Sequence, residues 1–222
     1  MHDRSRSHPV ATSRCRVPTD REQPFLTPEE VQRLADTIEP PFRTLVLSAA
    51  YLGCRWGELV GLKRTRLNLL HATVEIVGTL EEVGGAPPRY VEATKTVNSR
   101  RKLSVPPFLV DELRDHLSEA PPSDFVFTTV EGQLLRRNNF RQRYWLPAVE
   151  EAGLAPLRFH DLRHTCASLL IAQEAHAKEI QVRLGHASIV TTMNVYGHLL
   201  PSLDERLTGG LDEAYQKARR AR

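Results

Sequence analysis

Arg158-Phe159-His160-Asp161-Leu162-Arg163-His164-Thr165, followed by Leu184-Gly185-His186 and then Met193-Asn194-Val195-Tyr196-Gly197-His198, is the stretch that decides how this chain reads. A helix opening at His160 carries His160, Arg163 and His164 on one face, because they stand at i, i+3 and i+4. His186 comes 23 residues after Arg163, and Tyr196 ten residues after His186. Far upstream, Gly53-Cys54-Arg55-Trp56-Gly57-Glu58-Leu59 places Arg55 at the start of a short helix. Ala93-Thr94-Lys95-Thr96 places Lys95 at a strand end entering a turn. Taken singly, each residue has an ordinary reading. Arg55 pairs with Glu58 at i+3, Lys95 is an exposed strand lysine, and Asp161 is an acid favoured at a helix N-terminus. Tyr196 is a half-buried helical aromatic, and His176 and His198 are surface residues.

The elements around these motifs follow from local signals. Thr27-Pro28-Glu29-Glu30 has an N-cap Thr, Pro at the first helical position and Glu three residues after the cap, predicting a helix to about Ile38. Pro40 and Pro41 separate it from an apolar helix, Phe42 to Leu52, which Gly53 ends. A short helix over Trp56 to Leu62 follows. Ala72 to Leu80, Arg89 to Lys95 and Lys102 to Val105 are β-branched and partly alternating, with turns at Gly84-Gly85 and Asn98-Ser99. They predict a three-stranded antiparallel sheet. Helices are then expected at about 107–118, 137–152, 161–174, 177–184, 188–197 and 202–218, with Phe125 to Thr128 extended. Gly209-Gly210 reads as a break before a helix from Leu211 to Ala218. The fold class is therefore α+β, mostly α, with a small sheet on one side. Residues 1–24 read as a flexible polar leader, 25–200 as one domain, and 201–222 as a C-terminal helical segment.

Bulk properties bound the rest. A chain of 222 residues can bury a real core. Its net charge is +3, of which the first 24 residues supply +2 through five Arg and three acids. Charge by itself points only weakly to nucleic acid. The local clusters matter more: Lys63, Arg64 and Arg66; Arg100, Arg101 and Lys102; Arg136, Arg137, Arg141 and Arg143; and the closing KARRAR. Cys15, Cys54 and Cys166 show no metal-ligand spacing, so no metal site is expected, and Cys54 and Cys166 read as reduced core residues. No apolar run approaches a membrane span, and no apolar core follows the basic N-terminus as in a secretory signal. The expected location is the cytoplasm.

The motif set as a whole resembles the tyrosine recombinase (phage integrase) family. That family has an Arg in G-x-R-x-x-E-L, a Lys on a β-hairpin, H-x-L-R-H, L-G-H and a Tyr about ten residues later. All five occur here in that order, from Arg55 to Tyr196. The resemblance implies a recombinase-like catalytic domain that cuts and rejoins DNA through a 3′-phosphotyrosine, with no cofactor. Carried over residue by residue, Tyr196 attacks the scissile phosphate, Arg55 and Arg163 clamp it, and His186 donates a hydrogen bond to it. Lys95 protonates the leaving 5′ oxygen and His160 assists proton transfer at Tyr196. Glu58 and His164 support these groups from behind. Lys63, Arg64, Arg100, Arg101, Arg137 and Arg141 are the expected DNA contacts. The chemistry suits these residue types. Arginine forks meet non-bridging phosphate oxygens bidentately, and a phenol of ordinary pKa near 10 needs a positive pocket and a base to attack.

By the same resemblance the partners are double-stranded DNA, a homotetramer spanning two sites, and accessory DNA-bending proteins, with no membrane. The C-terminal segment is expected to dock on a neighbouring subunit or on its own domain. Two departures stand out. Relatives carry a separate N-terminal DNA-gripping domain, for which about 24 residues leave no room. And Gln173-Glu174-Ala175-His176 lacks the glycine that often ends the preceding helix, predicting a strained or more helical connection. Two alternatives share the motifs: a relaxing enzyme that cuts one strand as a monomer, and a remnant that binds DNA or partner subunits without recombining it.

Overall fold

The structure is a computed structural model that describes residues 25–92, 100–199 and 203–220. The expected leader 1–24 and Lys95 lie outside the described residues.

Helix α1 (Pro28–Thr37) starts as its sequence demands. The Thr27 hydroxyl accepts from the Glu30 amide, and the Glu30 carboxylate accepts from the Thr27 amide. Helix α2 (Pro40–Leu52) is the axis of the core. Phe42, every residue from Thr44 to Ala50, and Leu52 are buried, with α1, α4 (Pro107–Glu119) and α7 (Asp161–Ala172) packed around it. A helix apolar on all sides must be enclosed. The core continues through Leu59, Val74, Ile76, Leu109, Phe127, Phe140 and Trp145. Trp145 satisfies its buried indole N–H on the Leu157 carbonyl at 3.0 Å.

The sheet region departs from the expected single three-stranded sheet of 72–80, 89–95 and 102–105: Leu67–Asn68, not expected as a strand, joins the sheet, and the 89–92 strand lies outside it. A three-stranded antiparallel sheet is present, in the order β1 (Leu67–Asn68), β2 (Thr73–Ile76), β5 (Arg101–Ser104). The strand expected to run from Ala72 to Leu80 divides after Ile76. Its second half, β3 (Gly78–Glu81), leaves β5 and pairs instead with β4 (Arg89–Glu92) as a separate hairpin. Val74, Ile76, Gly78 and Leu80 are all buried, so the alternation runs unbroken across the division. Alternation records which face is buried; it carries no record of which strand lies alongside.

The remaining helices are α3 (Trp56–Val60), α5 (Arg137–Phe140), α6 (Leu146–Glu151), α8 (Ala177–Leu184), α9 (Ile189–Tyr196) and α10 (Leu203–Arg220). A π-helical turn, Arg141–Trp145, joins α5 to α6 inside what reads as one helix. Helix α10 runs through Gly209-Gly210 without the expected break. Two glycines weaken a helix by about 1 kcal/mol each but do not by themselves terminate it. The connection after α7 is strained, as its missing glycine predicts. Glu174 adopts φ 59°, a left-handed conformation that costs a side-chain-bearing residue about 1–2 kcal/mol. Cys54 and Cys166 are free and buried, and burial pushes the Cys54 thiol up to about 12. Among the described residues no helix is long and apolar enough to cross a membrane.

Candidate active site

The site forms where the α2–α3 turn meets the N-terminal half of α7 and the α8–α9 connection. Gly53 ends α2 with φ 67°, and a Cβ there would lie 2.7 Å from Leu184 Cδ2 and 2.9 Å from Cys166 Sγ. Only glycine fits, both sterically and in dihedral. Its carbonyl is thereby turned toward α7, where it accepts from Arg163 Nη1 at 2.6 Å. Arg163 is buried, yet its Nη2 has no hydrogen-bond partner among the described residues. Burial, followed by the charge of Arg55, lowers its pKa to about 10, so it stays cationic at neutral pH. A buried guanidinium with an unfilled donor is costly unless an anion completes it.

Arg55 precedes α3 and is exposed, with its side chain 47% accessible. Its amide donates to Glu58 Oε2 at 2.8 Å and its Nη1 to Glu58 Oε1 at 2.9 Å. Arg55 Nη2 reaches the Gly185 carbonyl at 3.3 Å. Glu58 is buried and is held mainly by Arg101, whose Nη1 and Nη2 donate to its two oxygens at 3.0 and 2.8 Å. Burial alone would raise the Glu58 carboxyl; the Arg101 hydrogen bonds and charge, with the Arg55 amide, reverse this and hold it at about 2.

Arg101 was expected at a DNA surface, and the structure corrects this. Its side chain is 6% exposed. Besides Glu58 it donates through Nε to the Arg183 carbonyl at 3.0 Å and contacts Cys54 Sγ at 3.6 Å. A Cβ on Gly185, which has φ 68°, would sit 2.8 Å from Arg101 Nη1. Arg101 thus ties β5 to Arg55 through Glu58, and to the turn carrying His186 through the last residues of α8. Nothing in the basic run Arg100-Arg101-Lys102 marks the middle member as the buried one; only its place on the inner face of β5 does.

His186 follows Gly185. Its Nδ1 lies 2.9 Å from Thr192 Oγ1, and its carbonyl accepts from the buried Gln181 at 3.1 Å. Thr192 is itself buried, one turn before Tyr196 on α9. Neither Thr192 nor Gln181 was picked out from sequence; a hydroxyl one turn before the tyrosine in an otherwise apolar helix face was the available signal. Burial first, then Arg163 and Arg55, pushes His186 down to about 4, so it is neutral at pH 7. His160, exposed at the start of α7, is also pushed to about 4, by desolvation and then by His164 and Arg163.

Tyr196 ends α9 with its ring 1% exposed, in a small apolar cluster with Ala167, Ile171, Ile180 and Leu184. Its ring lies parallel to that of His186, with 6.4 Å between centroids. Its hydroxyl meets His164 Nδ1 at 2.7 Å. Burial pushes the phenol up to about 12 against the pull of Arg163. His164, read from sequence as a support, is therefore the residue that touches the tyrosine oxygen. The structure brings Arg55, His160, Arg163, His164, His186 and Tyr196 into one cluster, in which Glu58 pairs with Arg55 and Arg101 and its charge also acts on Arg163.

The Phage integrase family matches residues 24–202. The chain belongs to that family. Its integrase relative from Mycobacterium phage D29 is 30% identical over 188 residues, covering 81% of this chain and 50% of that protein. A tyrosine recombinase XerC-like protein of Caldanaerobacter subterraneus subsp. tengcongensis is 27% identical over 195 residues, covering 78% and 50%. This chain spans about half the length of the curated integrases it matches. Among solved structures, the Tn1549 transposon integrase in complex with circular intermediate DNA superposes with a TM-score of 0.73 at 19% identity, over 87% of this chain and 68% of that one. At that identity the likeness speaks for the fold, a tyrosine recombinase catalytic domain.

The remaining residues expected on DNA are placed unevenly on this integrase-family domain. Arg137 and Arg141 are exposed, at the start of α5 and in the π-helical turn. Arg100 is exposed and pairs with Glu92 at 3.2 Å. Lys63 lies over the Tyr90 ring at 4.2 Å. Arg64 donates to the Phe125 and Pro121 carbonyls at 3.3 and 2.7 Å, which ties down a loop. His176, expected at the surface, is exposed and caps α8, accepting from the Lys178 amide.

Proposed function

We propose that this chain carries out site-specific DNA recombination, integrating or excising a mobile element by cutting and rejoining strands through a 3′-phosphotyrosine at Tyr196. The observation that carries this reading is the buried Nη2 of Arg163, without a partner among the described residues, in a cationic cluster beside a buried tyrosine. A phosphodiester supplies the missing acceptor, and its transition state places further negative charge on the oxygens that Arg55 and Arg163 would hold. His186, neutral and held through Nδ1 by Thr192, presents Nε2 as a third donor. Proton transfer at the tyrosine falls to the neighbouring imidazoles of His160 and His164, and Lys95 protonates the departing 5′ oxygen. The phosphotyrosine conserves the bond energy for religation, so the reaction needs no cofactor. Exposed Arg137 and Arg141 engage the DNA backbone, and four copies act on two duplexes, aided by DNA-bending proteins.

Incubating the protein with a nicked suicide duplex tests the reading. A covalent adduct that survives denaturing electrophoresis and vanishes in Tyr196→Phe is expected. A chain that binds the duplex and forms no adduct would instead be a DNA-binding remnant.

A further inference from the structure

The geometry points to His164 as the base that takes the phenolic proton of Tyr196 when the tyrosine attacks phosphorus. The inference rests on the recombinase reading above and moves onto His164 the role at the tyrosine that sequence gave to His160.

The position of the Tyr196 oxygen is fixed by its ring. The ring is enclosed by Ala167 and Ile171 of α7 and Ile180 and Leu184 of α8, and lies parallel to His186. A buried phenolic hydrogen requires an acceptor, and His164 Nδ1, at 2.7 Å, is in place to accept it. His164 is itself fixed, four residues along α7 from His160 and one residue from the buried Arg163. With Nδ1 accepting, the remaining imidazole proton sits on Nε2.

The groups facing His164 set its charge. From α7 these are Asp161, Arg163 and His160; from the preceding turn Arg158; from the α8–α9 connection and α9, His186 and Tyr196. Among the described residues, Asp161 is the one carboxylate in this group. Arg158 already engages it, through Nη2 at 2.7 Å and through the backbone amide at 2.8 Å. Burial, with Arg158 and Arg163, outweighs Asp161 and keeps the imidazole neutral at pH 7. A neutral imidazole in contact with the hydroxyl is a competent base. His160 meets the edge of the His164 ring at 5.0 Å between centroids and is exposed, which leaves it available to the phosphate.

The step balances. The Tyr196 oxygen bonds to phosphorus as its proton passes to His164 Nδ1. The bond from phosphorus to the 5′ oxygen breaks, and that oxygen takes its proton from a separate acid, assigned above to Lys95. In religation the 5′ hydroxyl attacks, Lys95 regains its proton, and His164 returns its own to Tyr196.

The test is single-turnover adduct formation on the suicide duplex between pH 5 and 9, for the full chain and for His164→Gln, His164→Ala and His160→Gln. General-base catalysis is worth roughly 10²–10⁴-fold, so His164→Gln should slow adduct formation about 100-fold with duplex affinity unchanged. The unaltered protein should show a rate that rises with pH through an imidazole ionisation. His164→Gln should lose that rise, and added imidazole should restore part of the His164→Ala rate. A wild-type rate in His164→Gln overturns the assignment. So does a pH rise lost in His160→Gln and kept in His164→Gln, or a flat profile in the unaltered protein, whatever the variants do. An unaltered protein that forms no adduct refutes the recombinase reading itself, which is a different result from an active enzyme indifferent to His164.

Discussion

Replacing Arg101 by Met keeps the apolar stem on β5 and removes the guanidinium that holds Glu58. The carboxyl sits at about 2 against an ordinary 4.5, which corresponds to about 3 kcal/mol of preference for the ionised form. Arg101 is the larger source of that preference, and it also donates to the Arg183 carbonyl. Breaking one side of a buried pair costs about 3–5 kcal/mol, so Arg101→Met should destabilise the fold by about 3 kcal/mol. For a chain of this size that lowers Tm by about 6–12 °C. The acid side of the stability curve should change as well. Glu58 has a depressed folded pKa, so its contribution is complete above 4.5 and is lost as pH falls toward 2; in Arg101→Met that loss shrinks. Urea denaturation at several pH values measures both. Duplex binding as a function of salt separates this role from a phosphate contact, which would lower the slope of log K against log salt by about 0.9. The expected slope is unchanged. A variant of unaltered stability with a reduced salt slope would falsify the buried-hub reading and return Arg101 to the DNA surface.

Glu174→Gly should raise stability by about 0.5–1 kcal/mol, because glycine adopts the φ of 59° freely while loosening the unfolded chain; a lower urea midpoint would contradict the strain. Thr192→Val removes the hydroxyl on His186 Nδ1 at nearly constant volume. A lost hydrogen bond of about 0.5–1.5 kcal/mol should lower Tm by about 1–6 °C and, where it positions the imidazole for the transition state, slow adduct formation by about 2- to 13-fold; an unchanged rate would show that the pair does not position His186. His160 and His186 stay neutral in the folded state down to about 4, whereas they protonate near 6.5 once unfolded. Stability should therefore fall as pH drops from 6.5 to 4, and His160→Asn, His186→Asn should flatten that limb in denaturation curves. A limb that persists in the double variant would assign it to other groups.

Much of this molecule was legible in its sequence because the signals were local. The Thr27–Glu30 capping box, the glycine after α2, and the i, i+3, i+4 face of His160, Arg163 and His164 concern residues within a turn of one another, and each appears as read. The motif spacing singled out Tyr196, Arg55 and Arg163, residues that the fold then gathers. What only the tertiary structure decided are relations between residues far apart in the chain. Val74 to Leu80 alternates without interruption, yet it changes partners at Val77, since alternation tells the face and not the neighbour. Arg101 lies between two other basic residues and is buried because β5 turns it onto Glu58 and the end of α8. His164, one residue from Arg163, acquires its importance from Tyr196, thirty-two residues later, whose ring is buried deeply enough to bring the hydroxyl onto Nδ1. The sequence by itself marked Arg55, His160, Arg163, His164, His186 and Tyr196 as candidates and most of the helices that carry them. Which imidazole meets the phenol, and which arginine is buried rather than exposed, was set by packing, because burial and hydrogen bonding are properties of the assembled core and not of any segment within it.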